Sequence, residues 1–250
     1  MMKGFYNLTS GMLTQQRNLN TIANNMVNAS TAGYKADTYV ASTFDEVMLS
    51  RVGNKFLGGG EEIGEWSYIR ASSQIYTDFG QGAIEPTDIN LDFAIEGDGF
   101  FAVQAADGTV AYTRGGSFSL DEEHYLCLPG AGRVLDEQGQ PILLPTEKFE
   151  CDDSGRIYAD YGALLGKLGV YRFADNSQLA RNARGLFTGA QGTVTVEAKI
   201  HWKALERSNI DVTEEMTGMI TAQRALQSAA EVTRIYEEMI TKATTELGRV

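Results

Sequence analysis

The chain has 250 residues, of which 43% are hydrophobic, and it carries a formal net charge of −12. This composition argues against disorder throughout and predicts one large domain or two smaller ones. The acidic balance excludes nucleic acid as a partner, because phosphate binding depends on clustered Lys and Arg that this sequence lacks.

The charge is spread unevenly along the chain. Residues 1–36 hold three basic side chains and no acid, while residues 205–250 hold eight acids and five bases. The two ends are therefore opposite in sign, at +3 and −3, and the middle carries the remaining −12. This distribution favours pairing of the ends and a soluble, outward-facing middle domain.

Residues 3–28 show the heptad pattern of a helix that pairs with another helix. The seam of this pattern consists of Phe5, Leu8, Met12, Gln15, Leu19, Ile22 and Met26. Asn24, Asn25 and Asn28 crowd the end of the predicted helix, and Gly33 can adopt the positive φ that lets the chain leave it. Tyr34 is expected to pack against that exit.

Residues 37–60 are predicted to be a connector that ends in a glycine-rich loop, Gly58-Gly59-Gly60. A phosphate-binding loop would need a strand before the glycines and a Lys followed by Ser or Thr after them. The sequence shows neither feature, which favours the connector.

From residue 61 the apolar pattern changes to a period of two, as where Leu91, Phe93 and Ile95 alternate with polar or small residues. The pattern predicts an antiparallel β domain over residues 61–195. The segment GDGFFA at 97–102 matches the dinucleotide pattern G-x-G-x-x-A. However, its Asp would repel a pyrophosphate, and the residues after it alternate as a strand instead of opening a helix.

Residues 208–248 are predicted to form one long helix, capped by Ser208 or Asn209. Its seam is predicted at Val212, Met216, Met219, Gln223, Leu226, Ala230 and Thr233, and after one phase slip at Tyr236, Ile240, Ala243 and Leu247. About forty residues of helix would span about 60 Å, and the polar and small residues of the seam give little burial energy. These features indicate assembly with other helices, although a helix packed on its own domain would also fit.

No catalytic motif is recognisable. The sequence contains no HExxH, P-loop, GxSxG or CxxC motif, and His124 and His201 stand alone. The acidic turn at 152–155 lacks the twelve-residue spacing of a calcium loop, which favours a solvated turn. We therefore predict that the chain is not an enzyme and has no catalytic residues, metal, cofactor or small-molecule substrate.

Other sequence features bear on location. Cys127 and Cys151 do not make a disulfide framework; two free thiols are favoured, and a bridge stays open. The N-terminus has no apolar run of 7–15 residues, so no secretory signal peptide is predicted, and no segment reaches transmembrane length. Composition alone would therefore indicate a cytoplasmic protein.

Three segments of the sequence resemble one known family. SGMLTQQRNLNTIANNMVNASTAGYKA at 10–36 is similar to the N-terminal signature of bacterial flagellar basal-body rod and hook proteins. LERSNIDVTEEMTGMITAQRALQSAAEV at 205–232 resembles the C-terminal signature of the same family, and NLDFAIEGDGFFAV followed by YTRGGSFSLD resembles its central motif. The short chain, with a brief insertion after the first helix, looks more like a rod protein of this hook–basal body family than like the larger hook subunit.

The resemblance implies an α+β fold. Its N- and C-terminal helices would pair as a coiled-coil-like core domain formed by residues 1–36 and 196–250. A connector at 37–60 would lead to an antiparallel all-β middle domain at 61–195.

The resemblance also implies a function. The chain would be a self-assembling structural subunit of the flagellar rod, or drive shaft, required for flagellum assembly and motility. Its partners would be other copies of itself, neighbouring rod and hook subunits and the flagellar export apparatus. It would lie in the basal body outside the cytoplasm, after export without a cleaved signal peptide, which replaces the cytoplasmic expectation.

The residues expected to form the assembly interface lie on or beside the two helices. They are Phe5, Leu8, Met12, Leu19, Ile22, Asn24, Asn25, Met26, Asn28, Gly33, Tyr34, Ser208, Asn209, Val212, Met216, Met219, Ile220, Gln223, Arg224, Leu226, Tyr236, Ile240 and Leu247.

Four positions depart from the usual family pattern. Ala204 and His124 stand where Gly is frequent, Leu226 where Tyr is common, and Tyr236 where Asp is frequent. The near alternative function is a hook or hook-associated structural protein. A more distant one is a polysaccharide-binding β domain, which the tryptophans and the tyrosine content suggest.

Overall fold

The computed structural model describes residues 2–43, 47–51, 61–66, 70–105, 107–146, 148–159, 161–182, 184–189, 193–194 and 198–247. Two long helices lie near the ends of the chain, α1 at Met2–Val27 and α2 at Val212–Leu247. The regular structure between them consists mainly of short strands. The α+β class is therefore confirmed, while the predicted glycine-rich loop lies outside the described residues.

The strands are numbered in chain order. They are β1 Asp37–Thr43, β2 Val47–Arg51, β3 Glu61–Trp66, β4 Arg70–Thr77, β5 Ile84–Pro86, β6 Phe93–Glu96, β7 Phe100–Gln104, β8 Val110–Thr113, β9 Ser119–Leu120, β10 Leu126–Leu128, β11 Gly132–Val134, β12 Phe149–Cys151, β13 Arg156–Ala159, β14 Leu164–Lys167, β15 Val170–Arg172, β16 Ala180–Arg181, β17 Phe187–Thr188, β18 Thr193–Val194, β19 Lys199–Trp202 and β20 Ala204–Glu206. A short 3₁₀ helix follows β15 at Asn176–Gln178.

The chain folds into two compact units. Unit 1 comprises Met1–Met26, Asp37–Tyr76 and Val212–Val250, and unit 2 comprises Val27–Ala36 and Thr77–Asp211. The predicted domain limits at 60 and 195 thus fall inside the units. Strand pairing explains the difference, because β1 pairs with β4 and β2 with β3 in unit 1, while β19 and β20 pair with β6 and β5 in unit 2. The segment predicted as a connector therefore contains strands β1 and β2.

Strand β7 organises unit 2. It pairs antiparallel with β8, β11 and β15 within a nine-stranded sheet. Phe101 and Val103 face one buried cluster, while Phe100 and Ala102 face a second cluster on the other side of the strand. Because successive side chains of a strand point to opposite faces, this run buries both faces of the sheet.

The turn between β6 and β7 settles how the glycine motif at 97–102 is used. Gly97 and Gly99 have φ values of +91° and +147°, which residues with a side chain rarely adopt. A Cβ at Gly99 would also lie 2.4 Å from Cγ1 of Val170. The glycines therefore serve a close strand-to-strand turn, and the segment opens strand β7 instead of a nucleotide-binding helix.

The second helix begins later than predicted. It starts at Val212, so neither Ser208 nor Asn209 caps it. Asn209 is used instead within unit 2, where its Oδ1 accepts a hydrogen bond from Ala36 N at 2.8 Å and its Nδ2 donates to Asp78 O at 3.0 Å. A residue that satisfies distant backbone groups in this way is not available to cap the helix. In the described part of the chain, no helix combines the length and the apolarity that crossing a membrane requires.

Candidate assembly surface

The two helices of unit 1 contact each other side by side. Asn25 Nδ2 donates to Glu215 Oε1 at 2.6 Å, a Cβ at Gly218 would lie 3.4 Å from Cδ1 of Ile22, and Thr233 Oγ1 lies 3.6 Å from Met12 Sδ. As the position on α1 moves toward its N-terminus, the position on α2 moves toward its C-terminus. The helices therefore run antiparallel.

The contact side of α2 follows a continuous heptad. Its members are Glu215, Met219, Ala222, Leu226, Ala229, Thr233, Tyr236 and Ala243, all buried or half-buried, together with Ile240, which is 39% exposed. The spacing alternates four and three without interruption, so the predicted phase slip is wrong. The sequence pattern was misleading because Val212 and Met216 are apolar and were assigned to the seam, although they lie on a neighbouring row that is exposed.

The matching side of α1 mixes polar with apolar side chains. Thr14, Thr21 and Asn25 are buried beside Ile22. The threonine hydroxyls donate to carbonyl oxygens four residues earlier, at 2.9 Å and 3.2 Å. These hydrogen bonds satisfy the hydroxyls but add no apolar contact to the partner helix. The seam of the pair therefore mixes small and polar groups with apolar ones, which stabilises it less than a seam of only Leu or Ile would.

Apolar side chains remain exposed on two other parts of α2. Val212, Met216 and Ile220 are 45–51% exposed, and Val232, Ile235 and Met239 are 48–63% exposed. By helical geometry the first group lies about a quarter turn to one side of the contact row, and the second about a quarter turn to the other side. We call these the first flank and the second flank of α2. They give the helix two apolar surfaces that stay about half exposed in the structure.

The segment after α1 is held within unit 2. Gly33 has φ +68°, as predicted for the exit from the helix, and its N donates to Glu206 O at 2.7 Å. A Cβ at Gly33 would lie 2.3 Å from the carbonyl carbon of Arg114, so only glycine fits. The ring of Tyr34 packs under the guanidinium of Arg181, with 4.4 Å between Cζ and the ring centroid. Tyr34 thus contacts Arg181, which also belongs to unit 2.

A buried ionic cluster lies directly beside this segment. Lys35 Nζ is 2.6 Å from Glu206 Oε1, and Arg114 Nη1 is 3.1 Å from Glu206 Oε2. The three side chains are at most 3% exposed. The glutamate also accepts from Gly82 N at 2.9 Å, and the lysine also donates to Gly80 O at 2.7 Å. The cluster therefore joins residues that are far apart in the chain.

Burial sets the electrostatics of this cluster. Loss of water lowers the pKa of Lys35 and of Arg114, and the charge and hydrogen bonds of Glu206 oppose that change in both. One carboxylate thus serves two buried cations. Removing it would leave both cations without an anionic partner among the three, which costs far more than removing an exposed ion pair.

The chain resembles known proteins along most of its length. Three family profiles match it: "Flagella basal body rod protein" over residues 5–35, "Flagellar hook protein FlgE/F/G D1 domain" over residues 94–196, and "Flagellar basal body rod FlgEFG protein C-terminal" over residues 203–246. The chain is 30% identical to the flagellar hook-basal body complex protein FlhO of Bacillus subtilis, with both chains covered completely. This chain belongs to the flagellar basal-body rod protein family.

Other relatives in this family are similar over nearly their whole length. The flagellar basal-body rod protein FlgG of Borreliella burgdorferi is 30% identical over 96% of this chain and 97% of its own. FlgG of Agrobacterium fabrum is 31% identical over 92% and 94% respectively. Membership in this structural rod family agrees with the prediction that the chain is not an enzyme.

The structure places the predicted interface residues in several environments. On α1, Ile22 and Asn25 are buried, Leu8, Met12, Leu19 and Met26 are half-buried, and Asn24 is exposed. On α2, Met219, Leu226 and Tyr236 are half-buried, whereas Val212, Met216, Ile220, Gln223, Arg224 and Ile240 are exposed. In unit 2, Gly33 is buried, and Asn28, Tyr34, Ser208 and Asn209 are half-buried. Phe5 and Leu247 lie in the helices, but their side chains are outside the described part.

Sequence reasoning missed the ionic cluster of this rod-family protein. Lys35 counted only toward the positive charge of the N-terminal segment, and Glu206 only toward the negative charge of the C-terminal one. A signal was available, because Ala204 and Glu206 share one face of β20 by the two-residue period, and that face is buried. A charged residue on an inward face predicts a buried ionic partner.

The histidines, cysteines and acidic turn have structural roles. His124 has φ +62° in the turn after β9, and His201 Nε2 lies 2.7 Å from Glu96 Oε2. Both cysteines are free, and burial raises the pKa of Cys151 to about 12, so it stays a thiol at neutral pH. In the acidic turn, Asp152 Oδ1 accepts from the backbone N of Ser154 and of Arg156. Its carboxylate thus stabilises the turn.

The tryptophan at the end of β19 bears on the polysaccharide alternative. Trp202 is half-buried, its Nε1 donates to Asn90 O at 2.8 Å, and its ring centroid lies 6.0 Å from that of Phe149. The ammonium of Lys203 covers it at 4.3 Å. The ring is therefore occupied by packing within unit 2, and the side chain of Trp66 lies outside the described part.

Proposed function

We propose that this chain is a structural subunit of the bacterial flagellar rod that polymerises through its terminal helices. Copies of the chain and neighbouring rod and hook subunits pack against α1 and α2 as a coiled-coil-like core. The subunit reaches the basal body through the flagellar export apparatus, without a cleaved signal peptide, and functions outside the cytoplasm. Flagellum assembly and flagellum-dependent motility depend on it.

The two exposed flanks of α2 support this proposal most strongly. Soluble monomers rarely leave two apolar rows exposed on one helix without a partner for them. Because the flanks lie on opposite sides of the contact row, one subunit has surfaces for two different neighbours. Contacts between unlike surfaces that do not close into a ring give an open helical filament. A rod requires such a filament.

The small and polar groups within the contact of the helix pair are a second support. Small residues such as Ala222 and Ala229 on α2, and threonines on α1, leave the isolated pair weakly stabilised. Additional helices packed against the flanks would bury the apolar groups that the pair itself does not. Assembly would therefore supply the stability that the monomer lacks.

Deletion of the gene in its own host, followed by electron microscopy of the cells, tests the proposal. We expect cells without hooks and filaments whose basal bodies stop short, and the length of the remaining stub places the subunit along the axis. Complete rods that lack hooks would instead support the hook alternative. Intact flagella with normal swimming would contradict both functions.

A further inference from the structure

Residues 27–36, which we call the strap, belong to unit 2 although Val27 is the last residue of α1. Polar contacts hold the strap to distant parts of the chain. Gly33 N donates to Glu206 O, Arg181 Nη2 donates to Lys35 O at 2.6 Å, and Ala36 N donates to Asn209 Oδ1. The strap therefore closes against segments more than 140 residues later in the sequence.

The strap brings little apolar surface to these contacts. Its buried residues are Gly33, which has no side chain, and Lys35, whose side chain is 0% exposed. By contrast, the phenylalanine clusters on both faces of β7 contain no residue of the strap. Closure thus depends on hydrogen bonds, on the stacking of Tyr34 with Arg181 and on the ion pair with Glu206, whereas core packing holds the rest of the unit. Segments of this kind open locally at a lower free energy than the core.

Glu206 is the residue on which closure depends. Its carboxylate binds Lys35 of the strap and also Arg114 and Gly82 of the unit, while its backbone oxygen accepts from Gly33. Without the Glu206 carboxylate, the closed strap would keep Lys35 and Arg114 buried without the anion that both now contact. Opening would return Lys35 to water and remove that penalty.

We propose that the strap is a closing element of unit 2, locked by Glu206, that opens and closes while the β core stays folded. The strap begins at the end of α1, and Asn209 lies three residues before the start of α2. Closure therefore fixes, within unit 2, the distance between the segment that comes from α1 and the segment that continues into α2. This device operates in the monomer and does not depend on the proposed polymerisation.

Limited trypsin digestion of the full-length chain tests the lock, because the bond after Lys35 is accessible only when the strap is open. We expect Glu206→Gln to speed cleavage after Lys35 by about tenfold or more. Cleavage after Arg133 in β11 and after Arg172 in β15, which lie outside the strap, should keep its wild-type rate. Mass spectrometry of the fragments gives all three rates.

Glu85→Gln is the matched control. Glu85 lies on the neighbouring strand β5, and its Oε2 is 3.1 Å from Nη1 of Arg207. Unlike Glu206, both side chains of this pair are 54% exposed. This variant should cleave after Lys35 at the wild-type rate. An unchanged rate in Glu206→Gln would overturn the proposal, because it denies that Glu206 locks the strap. Equal acceleration at Arg133 and Arg172 would mean that the variant unfolds unit 2 as a whole, and hydrogen exchange of the unmodified chain then decides.

Hydrogen exchange of the unmodified chain tests the same claim without a substitution. The amides of Gly33 and Ala36 should exchange together, about a hundredfold or more faster than those of Phe101 and Val103 in β7. Protection in the strap equal to that in β7 would overturn the proposal. This measurement decides the matter even if Glu206→Gln unfolds the whole unit.

Discussion

The two units of this protein bury their residues in opposite ways. Unit 2 packs phenylalanines on both faces of β7 and pairs three buried charges, Lys35, Arg114 and Glu206, with one another. Unit 1 places threonines and alanines between its helices and leaves Met216 and Met239 exposed. Unit 2 therefore holds the contacts that it needs for stability, whereas unit 1 displays apolar surface that other chains can cover.

This contrast assigns stability and assembly to different parts of one chain. Substitutions in the core of unit 2 should reduce stability, and substitutions on α2 should act mainly on the helix pair and its neighbours.

Phe101→Ala should destabilise unit 2 by about 3–5 kcal/mol, because it removes a fully buried ring and leaves a cavity. Phe101 is 0% exposed, and its ring centroid lies 5.2 Å from that of Phe118. Urea unfolding followed by near-ultraviolet circular dichroism measures the change. Val110→Ala on β8, where the side chain is 40% exposed, is the control and should cost below about 1 kcal/mol. Equal losses in the two variants would contradict the assigned core.

Leu226→Asp should destabilise the helix pair of unit 1 by about 2 kcal/mol, since it places a carboxylate in the half-buried contact row of α2. It should also block polymerisation. We expect lower helicity in far-ultraviolet circular dichroism with an unchanged near-ultraviolet signal from the aromatic core of unit 2. Ser228→Asp, at an exposed position two residues later, should change neither signal. Normal assembly by Leu226→Asp would remove the contact row from the account.

His124→Gly should stabilise unit 2 by about 1 kcal/mol, because a residue with a side chain pays that much to hold a left-handed conformation. His124 has φ +62° and its N donates to Asp121 O at 3.0 Å, which closes the turn. Urea midpoints of the two proteins give the difference. A lower midpoint for the glycine variant would mean that the imidazole makes a favourable contact in the native state.

The sequence predicted some features of this molecule well because they depend on local chemistry. Strand β6 follows from the two-residue period of Leu91, Phe93 and Ile95, and the positive φ of Gly33 follows from the Asn-rich helix end before it. The expectation of a glycine at position 124 also has a local cause, since the backbone there is left-handed.

Other features depend on contacts that no local pattern reveals. The start of α2 was predicted too early because Asn209 hydrogen-bonds to Ala36 and Asp78, which are far from it in sequence. The contact row of α2 was shifted because exposed apolar residues resemble buried ones in a periodicity argument. The ionic cluster at Glu206 was missed because its three members lie in three separate segments.

The most direct test of assembly through α2 compares Met216→Asp with Thr217→Asp in the deletion strain. The two positions are adjacent, but Met216 belongs to the first flank and Thr217 lies on the opposite side of the helix from the contact row. Flagella per cell are counted by electron microscopy, with equal protein levels verified by immunoblot. We predict that Thr217→Asp restores wild-type numbers and that Met216→Asp leaves few or no flagella. Full restoration by Met216→Asp would contradict the role assigned to the flank.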